Sequence, residues 1–317
     1  MSRCKAAVTC PPPVARVDRG WMPVLLIACA LALSGCAGAA NDPQVIAEKI
    51  AAAQAEFMHK QIEASKSALE RGDEAAARGD RAAAIAFYRK AHDDDPNSAL
   101  PLQRLAENAI ALGRYSQAYE AYHLVQTLQP SDPEAAFRLG ELMLVRGSPQ
   151  AAIDEFDIAL KTRKSDPRLF NAIGVAYSSM GKYELAIKNY RAGLAIVPQH
   201  TGLLNNLGMA QFLSGDDDGA VKTLSALVAM PDAKPRYRRN LAFVEAVHGD
   251  VDKAHQLLAS DAERAALDAE VAAYRRVLES SGDALDRTAL LGINFTMASA
   301  PAAGAASGKG PTTVAAQ

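Results

Sequence analysis

The side chains best suited to chemistry in this 317-residue chain are six histidines, two aspartate runs and four cysteines. Zinc held on a helix calls for two histidines one turn apart, often with a glutamate beside them. His59, His92, His123, His200, His248 and His255 show no such spacing. His248 and His255 straddle Gly249, so they need not share a helix face, and all six read as surface histidines. Asp93-Asp94-Asp95 and Asp216-Asp217-Asp218 would offer hard oxygens to calcium, but the residues after them do not match an EF-hand loop. The second run stands where a helix is expected to begin, and there carboxylates cap amides and favour the helix dipole. No phosphate-cradling glycine loop, nucleophile elbow or paired-carboxylate constellation is present. The expectation is a chain that is not an enzyme, with no cofactor, no metal and no small-molecule substrate.

The remaining reactive group is a thiol. Arg3, Lys5, Arg16 and Arg19 precede an apolar run from Val24 to Leu33, which is too short to span a bilayer as a stable helix. The run ends in Leu33-Ser34-Gly35-Cys36, which resembles a bacterial lipobox. Residues 1–35 are therefore read as a lipoprotein signal peptide. The resemblance implies cleavage before Cys36 and acylation of that residue. Each buried methylene contributes about 0.8 kcal/mol, so two or three chains make a durable tether where one does not. Ala37 follows in place of an aspartate, and by the same resemblance this favours the outer membrane, with the protein facing the periplasm. Cys4, Cys10 and Cys29 would leave with the signal segment, so no intrachain disulfide is expected. That removal takes four basic residues and one acidic residue, moving the formal charge from −2 to −5 and arguing against a nucleic-acid partner.

The elements between are set out by a period. Gly79, Gly113, Gly147, Gly181, Gly215 and Gly249 stand 34 residues apart. Ala84, Ala118, Ala152, Ala186, Ala220 and Ala254 follow each by five, and Gly72, Ala106, Gly140, Gly174, Gly208 and Ala242 precede each by seven. In the fourth copy Phe170, Ile173, Gly174 and Tyr177 form one apolar stripe, predicting a helix A from about Arg168 to Met180. Gly181 supplies the left-handed residue that ends it. A helix B follows with Tyr183, Ala186, Ile187 and Tyr190, and Pro198 stops it. Gly174 and Ala186 let the two helices approach, with aromatic rings filling the space around them.

This grammar resembles the tetratricopeptide repeat family over residues 65–258. The fold expected is an all-α, right-handed solenoid of about six helix pairs. Residues 36–64 are read as tether and N-terminal helix, beginning at Asp42-Pro43 and running through Ile50, Phe57 and Ile62. Ser260-Asp261-Ala262-Glu263 reads as a capping box that opens a capping helix within residues 259–282, with Leu267, Val271, Tyr274 and Leu278 on one stripe. Residues 283–317 are read as a disordered tail, and the sequon Asn294-Phe295-Thr296 has no standing in a bacterial lipoprotein.

In this family the A helices line the concave face, which by repeat position would present Phe137, Asn171, Val175, Asn205, Met209, Phe212, Arg239 and Phe243. Asparagines there can bond a peptide backbone, and the aromatic rings and Met209 can bury apolar groups. The alternative is that several of these residues only stack one repeat on the next. The dense basic stretch Lys234-Pro235-Arg236-Tyr237-Arg238-Arg239 is either a solvated helix start or a patch for an acidic segment.

The C-terminal third narrows the likeness. Leu203-Leu204-Asn205-Asn206-Leu207-Gly208, Ala229-Met230-Pro231-Asp232-Ala233-Lys234-Pro235-Arg236, Arg239-Asn240-Leu241-Ala242 and Ala272-Ala273-Tyr274 are arranged as in the TadD family of tight-adherence (Flp) pilus assembly lipoproteins. The resemblance implies a pilotin-like partner of an outer-membrane secretin and other pilus components. A second reading is an envelope adaptor that docks cell-wall enzymes or other outer-membrane assembly proteins.

Overall fold

The computed structural model describes residues 43–281 apart from residue 232. The segment expected to be a signal peptide, Cys36, the sequon and the segment expected to be a tail lie outside the described residues.

Thirteen helices and no strands occupy the described residues, in the order α1 (Pro43–Ala77), α2 (Arg81–Asp94), α3 (Leu100–Ala111), α4 (Tyr115–Leu128), α5 (Pro133–Val145), α6 (Pro149–Thr162), α7 (Pro167–Ser179), α8 (Tyr183–Ile196), α9 (Thr201–Ser214), α10 (Asp217–Val228), α11 (Pro235–His248), α12 (Val251–Gln256) and α13 (Asp261–Ser281). Odd-numbered helices through α11 are the A helices of six pairs. Each helix from α1 to α12 packs on its neighbours in sequence. The A helices also touch one another from α5 to α7, α7 to α9 and α9 to α11. That nearest-neighbour pattern defines a solenoid, because one pair cannot bury its own stripe and leans on the next.

Local chemistry sets the breaks. All six periodic glycines have φ between 70° and 118° and follow an A helix, where only glycine sits without a Cβ penalty. Asp132 and Asp166 accept amide hydrogen bonds at the starts of α5 and α7, each followed by a first-turn proline. Asp216 does the same for α10 through the Gly219 amide, so the aspartate run is a cap. At α13 Ser260 Oγ accepts from the Glu263 amide at 3.2 Å and Glu263 Oε2 accepts from the Ser260 amide at 3.1 Å, a reciprocal capping box.

Packing inside a pair follows the small residues. The Tyr190 ring lies against Gly174, Phe156 against Gly140 and Tyr88 against Gly72, each so close that a Cβ on the glycine would overlap the ring. Ala84, Ala118, Ala152, Ala186, Ala220 and Ala254 are wholly buried, the B-helix counterpart of the same close approach.

One boundary differs from expectation. The division at 64/65 between an N-terminal helix and the array falls inside α1, which runs unbroken for 35 residues. Its C-terminal half is the first A helix and its N-terminal half extends past α2. The last B helix, α12, is six residues long, and α13 completes what it cannot cover.

Candidate protein-binding face

Positions 137, 171, 205 and 239 are one period apart on α5, α7, α9 and α11, and the structure treats them differently. Phe137 is buried against Phe156, with the Arg138 and Arg168 guanidinium carbons 5.7 and 5.3 Å from its ring centroid. Asn171 is half-buried and Arg239 is exposed. Asn205 is 1% exposed.

The asparagines form a relay that period counting identified only in part. Asn240 Nδ2 donates to Asn205 Oδ1 at 2.7 Å, Asn205 Nδ2 to Asn206 Oδ1 at 3.2 Å, and Asn206 Nδ2 to Asn171 Oδ1 at 2.9 Å. This chain crosses α11, α9 and α7, with its two central members buried and its ends half-exposed. Asn206 and Asn240 were not among the expected site residues. Their signal was a second 34-residue register, shifted by one from Asn171 and Asn205.

The apolar members do not line an open groove. Val175, Met209, Phe212 and Phe243 are all buried, at 7% exposure or less. Phe212, Phe243 and Tyr274 form a three-ring cluster with centroids 5.6–5.7 Å apart, two of the pairs edge-on. Tyr274 belongs to α13, so the capping helix covers the A-helix face of the last two repeats rather than only the end of the last one. Arg239 is ion-paired to Glu270 of α13, and Arg275 Nη2 donates to the Ala246 carbonyl at 3.0 Å. The stacking alternative therefore describes these four apolar side chains and Phe137.

Toward the N-terminus the same face turns charged. The register that carries Val175, Met209 and Phe243 carries Asp73, Glu107 and Glu141 in the first three repeats, and Arg104 and Arg138 stand beside them. Arg138 pairs with Glu134 at 3.0 Å and Glu141 at 2.9 Å, while Arg163 reaches Glu134 at 2.6 Å. Burial pushes the Glu141 carboxyl up against the pull of Arg138. Arg104 stands 3.4 Å from Glu107 and 3.9 Å from Asp73. The accessible part of the face is thus a strip of balanced charge ending at the asparagine relay. Separately, Pro235, Arg236, Arg238 and Arg239 line a cleft of about 170 Å³ with Leu257, Leu258 and Glu263.

Asn206→Leu is expected to leave the Asn205 amide and the Asn171 carbonyl oxygen without their partners. Orphaning the buried Asn205 amide costs about 1–3 kcal/mol, so chemical denaturation should show a lower midpoint. Unchanged stability would mean that the relay is not held in the folded protein.

Among the described residues no three His, Cys, Asp or Glu side chains stand together as a metal site. Comparisons with known proteins agree on architecture. One tetratricopeptide repeat profile matches residues 103–167 and 171–236, and a second matches residues 75–126. No curated protein sequence matches the chain. Among solved structures, a MamA protein is 27% identical over 52% of this chain and 91% of its own, with a TM-score of 0.50. PilW, described as a widely conserved type IV pilus biogenesis factor, is 20% identical over 61% of this chain and 90% of its own, with a TM-score of 0.54. PilF of Pseudomonas aeruginosa is 17% identical over 67% and 99%, also with a TM-score of 0.54. At these identities the likeness to PilW and PilF is one of fold.

Proposed function

Because the chain belongs to the tetratricopeptide repeat family, whose arrays bind protein partners, we propose that it is a non-catalytic scaffold acting in Flp pilus biogenesis. It is tethered by acylated Cys36 to the outer membrane, faces the periplasm, and assists secretin assembly in the manner of a pilotin. The observation that carries the scaffold reading is the half-open strip of charged side chains across α3 and α5 that ends at Asn171 on α7. Such a strip offers backbone-directed donors and acceptors with no reactive centre beside them. The pathway rests on the TadD-like stretches. Three of them supply Asn205, Asn206, Asn240 and Tyr274, the relay and the ring that docks α13. The fold shared with two pilus proteins is consistent with it.

Metabolic labelling with an alkyne fatty acid should mark the wild-type chain and not Cys36→Ala. In-cell crosslinking and capture of the tagged protein should recover a secretin, and cells lacking the protein should lose secretin multimers. Normal multimers in such cells, or recovery of cell-wall hydrolases and synthases instead, would overturn the pathway and leave the fold standing.

A further inference from the structure

The N-terminal half of α1 stands clear of the array. No residue from 44 to 64 is buried, whereas Ser65, Ala68, Gly72 and Ala75 are buried. Ser65 Oγ donates to the Ala91 carbonyl at 2.7 Å, so the end of α2 at Asp94 lies opposite about residue 61. Residues 44–60 project beyond it for roughly 25 Å. On this segment Ile46, Ile50, Ala53 and Phe57 are half-exposed and fall within about 60° of one another at 100° per residue. Ala68, Gly72 and Ala75 lie on the same side, so the stripe continues the face that α2 covers further along.

That placement decides the kind of occupant. A bilayer or other flat surface laid on the stripe would meet α2, which stands off the same face by about 9 Å between helix axes. A single helix, running in line with α2, fits. We propose that this helix is the same segment of a second copy of the chain, packed antiparallel about a twofold axis near residues 51–52. Ile46 then faces the partner's Phe57, and Ile50 faces the partner's Ala53. The overlap spans 43–60 and stops short of the C-terminal end of α2. Charge favours this direction. Lys49, Glu56 and Lys60 lie on one flank of the stripe, where Glu56 accepts from Lys60 at 2.7 Å within the helix, and the other flank carries Ala47, Ala51, Gln54 and Met58. In an antiparallel pair like flanks meet, bringing Lys49 beside the partner's Glu56 and Glu56 beside the partner's Lys49, offset by about 3 Å along the axis. A parallel pair would set Lys49 and Glu56 against a flank of Ala47, Ala51, Gln54 and Met58, which holds no opposite charge. Four apolar side chains per copy make a small contact, so the association is weak and suited to detection by crosslinking. It does not depend on acylation of Cys36.

The test uses the full chain in cells, with a photoreactive residue at Ile50 and, as control, at His59 on the opposite face. Ile50 should yield an adduct of two copies, seen by co-capture of differently tagged chains, and His59 should not. Lys49→Glu or Glu56→Lys alone should lower that adduct about fivefold, since each reverses two exposed ion pairs between the copies, the second also breaking the Glu56–Lys60 pair of its own helix. Lys49→Glu combined with Glu56→Lys should restore it, a result that repulsion within one helix cannot produce. An Ile50 adduct with lipid or with a different protein, no adduct of two copies, or a double variant that stays low would each overturn the proposal.

Discussion

Gly174→Leu is expected to lower the thermal midpoint by about 3–10 °C, through an overpacking cost of about 1–3 kcal/mol. Tyr190 is fully buried against this glycine, and its hydroxyl is 3.2 Å from Ser178 Oγ. The ring cannot swing aside without losing that contact and reopening the space between α7 and α8. Repeats two and six carry Ala106 and Ala242 at the same place, but beside Gly174 even a methyl would overlap the Tyr190 ring, and an isobutyl group extends the overlap. Because α7 also touches α5 and α9, damage there weakens two interfaces of a nearest-neighbour array. Gly181 provides the contrast. Its φ is 71° and a Cβ there meets nothing within 4 Å, so Gly181→Leu carries only the left-handed backbone cost of about 1–2 kcal/mol. Differential scanning calorimetry of both variants checks the distinction. A Gly174→Leu protein that melts like the wild type would mean that the A and B helices are paired differently.

Tyr274→Ala is expected to release α13 while leaving the array folded. Truncating a buried aromatic costs about 3–5 kcal/mol, and here the loss falls on one terminal helix. Tyr274 is 1% exposed and touches both Phe212 and Phe243, which the smaller side chain would uncover. Hydrogen exchange should show the amides of α13 losing at least about 10²-fold in protection, with α3 to α8 unchanged. Binding of a hydrophobic dye should rise as Phe212 and Phe243 meet water. Wild-type protection of α13 would mean that Leu267, Val271 and the Arg275 bond to the Ala246 carbonyl hold the helix without the ring. The same variant separates two modes of partner capture. A partner that uses the apolar end of the A-helix face binds more tightly once α13 leaves, and one that uses the charged strip is unaffected.

Much of the architecture was legible because its determinants are local. A positive φ at Gly113 or Gly249, a first-turn proline at Pro133 or Pro167, and the Ser260–Glu263 capping box act within a few residues of themselves, so a one-dimensional period carries them intact. The unbroken α1 was legible too, since neither glycine nor proline interrupts residues 44–71, and counting in repeats obscured it. The proposed binding face was only half legible. Its register puts Asn171, Asn205 and Arg239 on A helices. Whether a side chain in that register meets solvent depends on what lies across from it, and that is a contact between residues distant in sequence. Phe212 and Phe243 are core because Tyr274 comes back over them from α13. Asn205 and Asn206 are relay members because Asn240 and Asn171 reach them from neighbouring helices. The sequence by itself determined the helices, their ends and their pairing, through backbone conformation and capping that each residue imposes on its neighbours. Only the tertiary structure decided which part of the face stays open, because burial is a property of the surfaces that meet and not of the residue that is buried.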